Sequence, residues 1–414
     1  MHTRLPVRWM LIAWLFVISA IGYLDRVNIS IAGQSIAKEF HLNNVQLGWI
    51  FSAFVLGYAL FQAPGGSIAD RFGPRLVLTG GVLWWGFFTS LITVFEPGVG
   101  QLLLLLIATR FALGMGEAVI YPASNCIVSA WIPSAERGIA NGIIFSGVGC
   151  GAALTPPLIA WLLIHYGWRS SFWASSVLGL GAGVVWLVLA RDSPEKHPWI
   201  PEAERTYIRA NLPQQSRAEP LPWRFILSNS NIWLVTASYF SYGYAAYIFF
   251  SWFFIYLSSV RGLNLRQSSY LAMLPFAAMA IGSPVGGWIS DRLTKSRGKR
   301  MGRCGVAAIG IALAAVFIAL GTQVDSARLA TLVLAAGVGA LYLSQSSFWS
   351  VSADIGGRSA GSVSGFMNMG GQIGGALTAS LTPAIAAHWG WTPSFLVAAG
   401  LCAVGSLLWA FVII

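Results

Sequence analysis

The sequence predicts an all-α membrane protein whose twelve transmembrane helices form two similar six-helix bundles. Three observations support this fold class. Of the 414 residues, 56% are hydrophobic and only 9% are charged, whereas about a quarter of the residues in a soluble domain are charged. Twelve apolar runs follow one another, each close to the roughly 20 residues that a helix needs to cross a bilayer. Two motifs of the first half also recur in the second.

The apolar runs define the predicted helices in chain order. Their continuity favours helices over the alternating pattern of a membrane barrel, because a backbone in lipid must satisfy its hydrogen bonds internally. The first run lacks a cleavage site of small residues, so we expect it to remain as a spanning helix. The predicted spans are 9–32, 46–67, 74–95, 101–123, 136–162, 169–190, 231–258, 268–290, 304–322, 327–350, 359–385 and 391–414.

Internal repeats divide the chain into two halves. GSIADRFG at 66–73 recurs as GWISDRLT at 287–294, an offset of 221 residues, and HYGWRSSF at 165–172 recurs as HWGWTPSF at 388–395, an offset of 223. A nearly constant offset indicates two copies of one six-helix plan, as is common in transporters. We therefore expect a first bundle at 1–190, a cytoplasmic linker at 191–230 and a second bundle at 231–414.

The positive charge indicates an orientation in the membrane rather than a nucleic-acid partner. The net charge is +11. With the N-terminus in the cytoplasm, 18 of the 25 Lys and Arg residues fall on the cytoplasmic side, five fall outside and two lie within spans. This distribution is the positive-inside asymmetry. We therefore expect a lipid bilayer around the protein, both termini in the cytoplasm and, from the compact loops, a bacterial inner membrane.

The sequence contains no constellation typical of an enzyme, a metal site or a disulfide framework. The five histidines are scattered over the tail, the loops and the helix ends, and the cysteines lie in or beside apolar spans without metal-ligand spacing. We therefore predict no enzymatic activity, no metal, no cofactor and no nucleic-acid partner, and we expect a monomer. The cysteines are Cys126, Cys150, Cys304 and Cys402.

Four ionisable residues lie deep within predicted spans: Asp25 and Arg26 on the first, Arg110 and Glu117 on the fourth. Such residues are costly in a membrane and are tolerated chiefly where they face a partner or a watery cavity. Arg110 and Glu117 are seven residues apart and share a helix face, with a rise of about 10.5 Å between them. Asp25 and Arg26 point about 100° apart, so we expect one to face a cavity and the other a neighbouring helix.

Two interpretations of these four charges stay open. In one, they form a buried salt-bridge network that fixes the first span against the fourth. In the other, they couple transport to protons. Burial favours the protonated form of a carboxyl group, whereas a nearby guanidinium favours the ionised form. An anion that binds the arginine would weaken this second effect, so that substrate and proton would bind cooperatively.

The loop GSIADRFGPR at 66–75 resembles the signature loop of the major facilitator superfamily, between its second and third helices. Within that superfamily, GYLDRVNIS on the first span and TRFALGMGEAVIYPASN at 109–125 resemble the anion:cation symporters. That group includes bacterial galactonate, glucarate and hexuronate transporters and animal transporters of sialic acid, phosphate or glutamate. The resemblance covers nearly the whole chain. It implies the superfamily's twelve-helix fold and proton-coupled symport of an organic anion by alternating access.

The resemblance also implies roles for individual residues. Asp25 and Glu117 would take up protons, Arg110 would organise these acids, and Arg26 would bind the substrate carboxylate, which suits a planar guanidinium. The acids and bases of the signature loop and of its repeat would gate the cytoplasmic ends of the two halves, partly through a helix N-terminus that attracts a carboxylate. These gating residues are Asp70, Arg71, Asp291 and Arg292.

The second half has no comparable deep charge, so we expect neutral polar groups there to recognise the substrate. Asn368 and Gln372 are four residues apart and share a helix face, although such amides nearly as often bond only to a neighbouring helix. Tyr242 is a further candidate on the seventh span. The resemblance favours contacts with a sugar acid from Tyr23, Tyr58, Ser346, Trp349 and Asn368.

The favoured substrate is therefore a sugar acid, that is, a hexonate, an aldarate or a hexuronate. One arginine with several neutral polar groups suits a hydroxylated carboxylate, whereas inorganic phosphate usually needs more than one cation. Several alternatives stay open. They are another anion, such as a tartrate-like or aromatic carboxylate or phosphate, coupling to sodium, uncoupled transport, and a transporter-like receptor.

Overall fold

The computed structural model of the protein describes residues 6–42, 44–98, 100–212, 221–253, 256–257, 260–263 and 265–414. Every regular element in these ranges is a helix. Ten segments are long and apolar enough to cross a membrane by length and composition. One of them, 327–378, contains two helices, and another long helix, Ser230–Ser251, lies at the seventh predicted span. Within the described residues, a helix or helix pair therefore lies at each of the twelve predicted spans.

Six spans form the first half. Five are single helices: α1 (Val7–Glu39), α2 (Asn44–Phe72), α3 (Pro74–Leu91), α6 (Arg137–Tyr166) and α7 (Trp168–Leu189). The fourth span is interrupted after Glu117 and consists of α4 (Leu102–Glu117) and α5 (Ile120–Trp131). The predicted end of this span at residue 123 was wrong, because α5 continues to Trp131.

Two short helices belong to the connection between the halves, and six spans follow. The short helices are α8 (Glu202–Asn211) and α9 (Trp223–Ser228). The spans are α10 (Ser230–Ser251), α11 (Leu265–Arg297), α12 (Val306–Gln323), α13 (Ala327–Gly356), α14 (Ala360–Trp389) and α15 (Trp391–Leu408). Part of the seventh predicted span lies outside the described residues. The last predicted span was too long, because α15 ends at Leu408.

The repeated motifs occupy equivalent places in the two halves. HYGWRSSF turns the chain from α6 into α7, and HWGWTPSF turns it from α14 into α15. The glycines at these turns have positive φ angles, +79° at Gly167 and +88° at Gly390. Glycine adopts this backbone conformation without the steric cost that other residues incur. The same turn therefore closes the last helix pair of each bundle.

The halves meet along two helix pairs, α2 with α14 and α6 with α11. Glycine allows close approach in both pairs. A methyl group added at Gly66 would meet the carbonyl group of Gly361, and one added at Gly287 would meet that of Gly138. Small residues of this kind let membrane helices pack with their backbones close together. Polar side chains beside these glycines can therefore bridge the two halves.

One end of the molecule carries α8, α9 and the signature loop, and we call it the linker end. The backbone N–H of Val7, at the start of α1, donates to Glu204 of α8 at 2.9 Å. The backbone N–H of Ile413, beyond α15, donates to the Asn231 side chain at the start of α10, also at 2.9 Å. The described parts of both chain termini therefore lie at the linker end.

Candidate functional site

A narrow cavity lies between the two halves, and aromatic and polar side chains from both halves line it. Six of the eight residues predicted to bind substrate line this cavity. These six are Tyr23, Tyr58, Tyr242, Trp349, Asn368 and Gln372. The other two, Arg26 and Ser346, are not among the residues that line the cavity.

Arg26 lies behind two of the cavity's tyrosines. Its guanidinium carbon is 4.8 Å from the ring centre of Tyr23 and 4.1 Å from that of Tyr58. Its Nε donates to Oε1 of Glu117 at 2.5 Å, which joins α1 to α4. The Arg26 side chain is 10% exposed and that of Glu117 is 2% exposed. Within the described residues, Arg26 Nη2 and Glu117 Oε2 have no hydrogen-bond partner, so the pair retains a free donor and a free acceptor.

Asp25 and Arg110 have different surroundings. Asp25 is fully buried and accepts a hydrogen bond from Thr89 of α3 at 3.2 Å. It therefore points to a neighbouring helix, whereas Arg26 lies near the cavity, as the 100° offset predicts. The guanidinium of Arg110 is 4.7 Å from the ring centre of Phe54. Neither residue forms an ion pair within 4.0 Å in the described part of the chain, so the four charges do not form one continuous salt-bridge network.

The two amides predicted in the second half both bond to other helices. Asn368 of α14 donates through Nδ2 to Oε1 of Gln62, on α2 of the first half, at 2.8 Å. Gln372 accepts at Oε1 from the hydroxyl of Tyr247, on α10, at 2.6 Å. Each amide therefore lines the cavity with one of its polar atoms already bonded.

A hydroxyl that sequence reasoning missed lies at the centre of a polar cluster in the second half. Tyr239 accepts hydrogen bonds from Gln345 Nε2 at 3.1 Å and from Trp349 Nε1 at 3.3 Å, and all three residues line the cavity. Its ring is stacked on Tyr242, with ring centres 5.0 Å apart. Tyr239 lies three residues before Tyr242 on α10, so helical spacing from that predicted residue is the signal that could have identified it.

Trp349 also touches the first half of the chain. Its ring centre is 4.9 Å from that of Phe145 on α6 and 5.8 Å from that of Tyr121 on α5. Ser346, three residues earlier on α13, is fully buried, and its hydroxyl has no hydrogen-bond partner among the described residues. Trp349 thus covers the linker-end side of the cavity from the second half, while Ser346 lies outside the lining.

The two acids predicted to gate lie at helix N-termini of the opposite half. Asp70 of α2 accepts from the backbone N–H groups of Gly361 and Ser362, at the start of α14, at 2.9 and 2.7 Å. Asp291 of α11 accepts from those of Gly138 and Ile139, at the start of α6, at 2.9 and 2.7 Å. A carboxylate is stabilised there by unpaired N–H groups and the helix dipole. These two contacts hold the halves together at the linker end.

The bases of the gating motifs have a different placement. Arg71 and Arg292 are exposed, and their guanidinium carbons lie 5.4 Å from the ring of Phe72 and 5.6 Å from that of Trp288. Neither base forms an ion pair within the described ranges. The expectation that acid and base both bridge the halves therefore fits the acids only.

Two arginines that sequence reasoning missed bridge the halves instead. Arg137, at the start of α6, forms a buried ion pair with Asp354 of α13 at 2.5 Å. Arg303 pairs with Asp291 at 2.7 Å and donates to the backbone carbonyl of Ser134 at 2.5 Å. Asp354 is the single acidic residue between 327 and 359, but the predicted span ended at residue 350 and placed it in a loop.

Comparison with known proteins supports a transporter. The chain is 34% identical over 416 residues to a protein of Cupriavidus necator named "Probable sulfoacetate transporter", covering 100% of this chain and 95% of that protein. It is 32% identical over 412 residues to the hexuronate transporter of Bacillus subtilis, covering 98% and 93%. The solved structure of a proton:xylose symporter bound to 6-bromo-6-deoxy-D-glucose shares its fold, with a TM-score of 0.76, 15% identity and coverage of 98% and 96%.

The family model described as Major Facilitator Superfamily matches residues 15–379. This match and the solved structure confirm the predicted twelve-helix fold class. The family and the relatives are transporters, which confirms the prediction that the chain is not an enzyme. The chain belongs to the major facilitator superfamily, among its anion transporters.

Proposed function

We propose that this protein is a proton-coupled symporter that carries a sugar acid by alternating access. The observation that carries the proposal is the buried Arg26–Glu117 ion pair beside the cavity. Arg26 would bind the substrate carboxylate, and Glu117 would take up the coupled proton. The hexuronate transporter of Bacillus subtilis and its 32% identity support a sugar acid as the substrate class.

The Arg26–Glu117 ion pair would link the binding of substrate to the uptake of a proton. In the empty carrier, Glu117 neutralises Arg26 at 2.5 Å. A substrate carboxylate that approaches the free Nη2 would replace Glu117 as the counter-ion, and the displaced carboxylate would then be buried without a cation. A buried, unpaired charge is strongly unfavourable, so Glu117 would take up a proton. Carriers with both ligands or with neither would be nearly neutral at this site and could reorient.

Asp25 and Arg110 would take part as a second acid and a second base. Both are buried, and Asp25 Oδ1 and two nitrogens of Arg110 have no hydrogen-bond partner within the described residues. We assign proton uptake to Asp25 and the ordering of both acids to Arg110. Two acids permit two protons per cycle.

Neutral groups of the second half would recognise the substrate hydroxyls. Asn368, Gln372, Trp349 and Tyr242 line the cavity opposite Tyr23 and Tyr58. Their amide, indole and phenol groups donate and accept hydrogen bonds without adding charge. A polyhydroxylated monoanion satisfies such a lining better than a compact multiply charged anion does. Ser346 would join this set only if α13 shifts, because the described cavity does not include it.

The linker end would face the cytoplasm of a bacterium, with both chain termini there. In the topology predicted from the sequence, eighteen of the 25 Lys and Arg residues fall on the cytoplasmic side. Asp70 and Asp291 would then be the cytoplasmic latches, and Arg71 and Arg292 would contribute to gating in other states. The bundles would be divided at the linker of residues 191–230, and the protein would function as a monomer.

Proteoliposomes with an internal pH dye test this proposal. The probes are D-galactonate, D-glucarate and D-glucuronate, with D-glucose, inorganic phosphate and sulfoacetate as comparison solutes. We expect a sugar acid, and not D-glucose, to acidify the lumen in wild-type liposomes. The same probe should give no signal with Arg26→Ala protein that elutes as a folded monomer.

Three other outcomes would contradict parts of the proposal. Acidification with phosphate or sulfoacetate alone would replace the substrate class and leave proton coupling intact. Uptake of a labelled sugar acid that requires sodium, or that occurs without proton movement, would overturn proton coupling. Saturable binding without any flux would identify a receptor.

A further inference from the structure

We infer that Gln62 positions Asn368 for the substrate, and that substrate binding breaks the Gln62–Asn368 hydrogen bond and thereby releases α2 from α14. The inference rests on the proposed function in one respect, since it takes Asn368 to contact a sugar acid. The observation behind it is the 2.8 Å bond from Asn368 Nδ2 to Gln62 Oε1. This bond joins the two halves, and one of its partners lines the cavity.

Gln62 is held by that bond and lacks a second one. It is fully buried, and its Nε2 has no hydrogen-bond partner among the described residues. A buried amide with an unsatisfied donor is unfavourable. A substrate hydroxyl that reached Asn368 could take over its Nδ2 group and could also accept from Gln62 Nε2. The Gln62–Asn368 hydrogen bond between the halves can therefore be replaced by hydrogen bonds to the substrate.

Gln62 also lies on α2 between the cavity and Asp70. Tyr58, Gln62, Gly66 and Asp70 follow one another at four-residue spacing, so they lie along one face of α2 over about 18 Å. Tyr58 lines the cavity, and Asp70 holds the N-terminus of α14. Loss of the Gln62–Asn368 hydrogen bond would therefore act on α2 about one turn from the cavity and two turns from Asp70.

The facing side of α14 supports this continuity. A methyl group added at Gly365 would meet the backbone carbonyl of Gln62, and Gly361 lies against Gly66. Because these backbones pack closely, a shift of α2 at Gln62 cannot be absorbed locally and must move the neighbouring turns. The equivalent pair α6–α11 has close glycine contacts at Gly142 and Gly149. Between the cavity and Asp291, that pair has no side-chain hydrogen bond within the described residues.

A native cysteine can report the opening. Cys126 of α5 is buried, with its thiol 3.2 Å from Asp70 and next to Gly361. Opening of the linker end would separate these groups and expose the thiol. The test protein keeps Cys126 and carries Cys150→Ala, Cys304→Ala and Cys402→Ala. The rate of alkylation by N-ethylmaleimide is measured in nanodiscs, with and without a mixture of D-galactonate, D-glucarate and D-glucuronate.

Gln62→Met removes the amide at nearly constant volume, and Gln62→Asn shortens it, which provides a second variant if one does not fold. The matched control is Asn141→Leu. Asn141 is also a buried amide with a hydrogen bond between the halves, to Ser350 at 3.4 Å, and it does not line the cavity. Without sugar acid, we expect Gln62→Met to be alkylated about two- to tenfold faster than its parent, because one net hydrogen bond is lost.

The response to sugar acid separates a positioning role from a structural one. We expect the mixture to speed alkylation in the parent and in Asn141→Leu but not in Gln62→Met. A parental rate in Gln62→Met, or an undiminished response to the mixture, would overturn the inference. If the sugar-acid mixture changes the alkylation rate in neither the parent nor any variant, the result contradicts both the proposed substrate class and the breaking of the Gln62–Asn368 hydrogen bond by substrate. The rates without sugar acid would still decide whether Gln62 closes the linker end.

Discussion

At the scale of single residues, the distinctive feature is that one guanidinium has both an acid and two tyrosine rings as neighbours. The rings of Tyr23 and Tyr58 hold the cation in place, and Glu117 compensates its charge. A site arranged in this way already carries one anion, the Glu117 carboxylate. Such a site is better suited to exchange the Glu117 carboxylate for a substrate carboxylate than to hold one of the two anions permanently.

The first prediction concerns the proton. Glu117→Gln keeps the size of the side chain but cannot ionise, so the carrier should lose proton-driven accumulation and retain exchange of labelled for unlabelled sugar acid. Uptake and counterflow in proteoliposomes measure the two activities. Glu195→Gln, an exposed acid at the linker end, should keep both activities. Unchanged accumulation in Glu117→Gln would assign Glu117 a purely structural role.

The second prediction concerns the anion. Arg26→Lys keeps the positive charge but loses the planar fork that can bind a carboxylate with two nitrogens. The loss of one charge-assisted hydrogen bond, about 1.5–3 kcal/mol, should raise the apparent KM for a sugar acid at least tenfold. The concentration dependence of uptake gives this value, with Arg224→Lys, at an exposed position of α9, as the control. An unaltered KM would exclude Arg26 as the carboxylate ligand.

The sequence was sufficient to find the charged residues but not their partners. Asp25, Arg26, Arg110 and Glu117 stand out because a charge inside an apolar run is rare. Gln62 and Tyr239 do not stand out, because neutral polar residues are common in such helices and their value depends on what they face. The pairing of Arg26 with Glu117 rather than with Asp25 depends on helix rotation, which spacing alone does not give.

At the scale of helices, closure of the linker end depends on close backbone contact between α2 and α14. In the third prediction, Gly66→Ala should strongly reduce the transport rate, because its methyl group would meet the backbone carbonyl of Gly361. Gly80→Ala, on α3, places its methyl group in open space and should transport normally. Initial uptake rates at equal protein content compare the two. Normal transport by Gly66→Ala would show that this contact is not needed.

The fourth prediction concerns the ion pair between α6 and α13. Both side chains are nearly inaccessible, with 1% of Arg137 and 3% of Asp354 exposed. Removal of one partner from a buried pair typically costs about 3–5 kcal/mol. Asp354→Asn should therefore shorten the half-life of folded protein in detergent at elevated temperature. Glu202→Gln, which breaks an exposed pair with Arg205, should change the half-life little, and similar half-lives would contradict the prediction.

Helix ends were harder to predict than helices. Hydropathy identified the twelve apolar runs, but it placed Asp354 in a loop and ended the fourth span at residue 123, where α5 continues to Trp131. Both errors occur at the linker end, where α5 and α13 pack against other helices beyond the most apolar stretch. Polar residues are tolerated there because they bond across the halves, as Asn125 does to Ser352 at 3.2 Å.

At the scale of the whole molecule, the halves are firmly joined at the linker end. The acids Asp70 and Asp291 and the base Arg137 all make contacts between the halves there. Near the cavity on the opposite side, Tyr23 and Phe250 are in ring contact at 5.8 Å. The arrangement corresponds to a carrier whose linker end is closed, so the next step of a transport cycle would require that end to open.

The fifth prediction concerns orientation in the cell. In protein with all four native cysteines replaced, Lys196→Cys, at an exposed position, should react with a membrane-impermeant maleimide only in inverted vesicles. Arg328→Cys, at an exposed position in the first turn of α13, should react only in right-side-out vesicles. The positive-inside asymmetry is the reason for this expectation. The reverse pattern would invert the proposed topology.

The deep charges all lie in one half of the chain, and this has a consequence for how such carriers can diversify. Asp25, Arg26, Arg110 and Glu117 belong to α1 and α4, whereas Asn368, Gln372 and Trp349 belong to α13 and α14. Under the proposed roles, mutations in the second half can alter which solute is accepted while the coupling residues of the first half stay unchanged. A chimera that joins this first half to the second half of a relative should therefore accept the relative's substrate and keep the coupling ion of this protein.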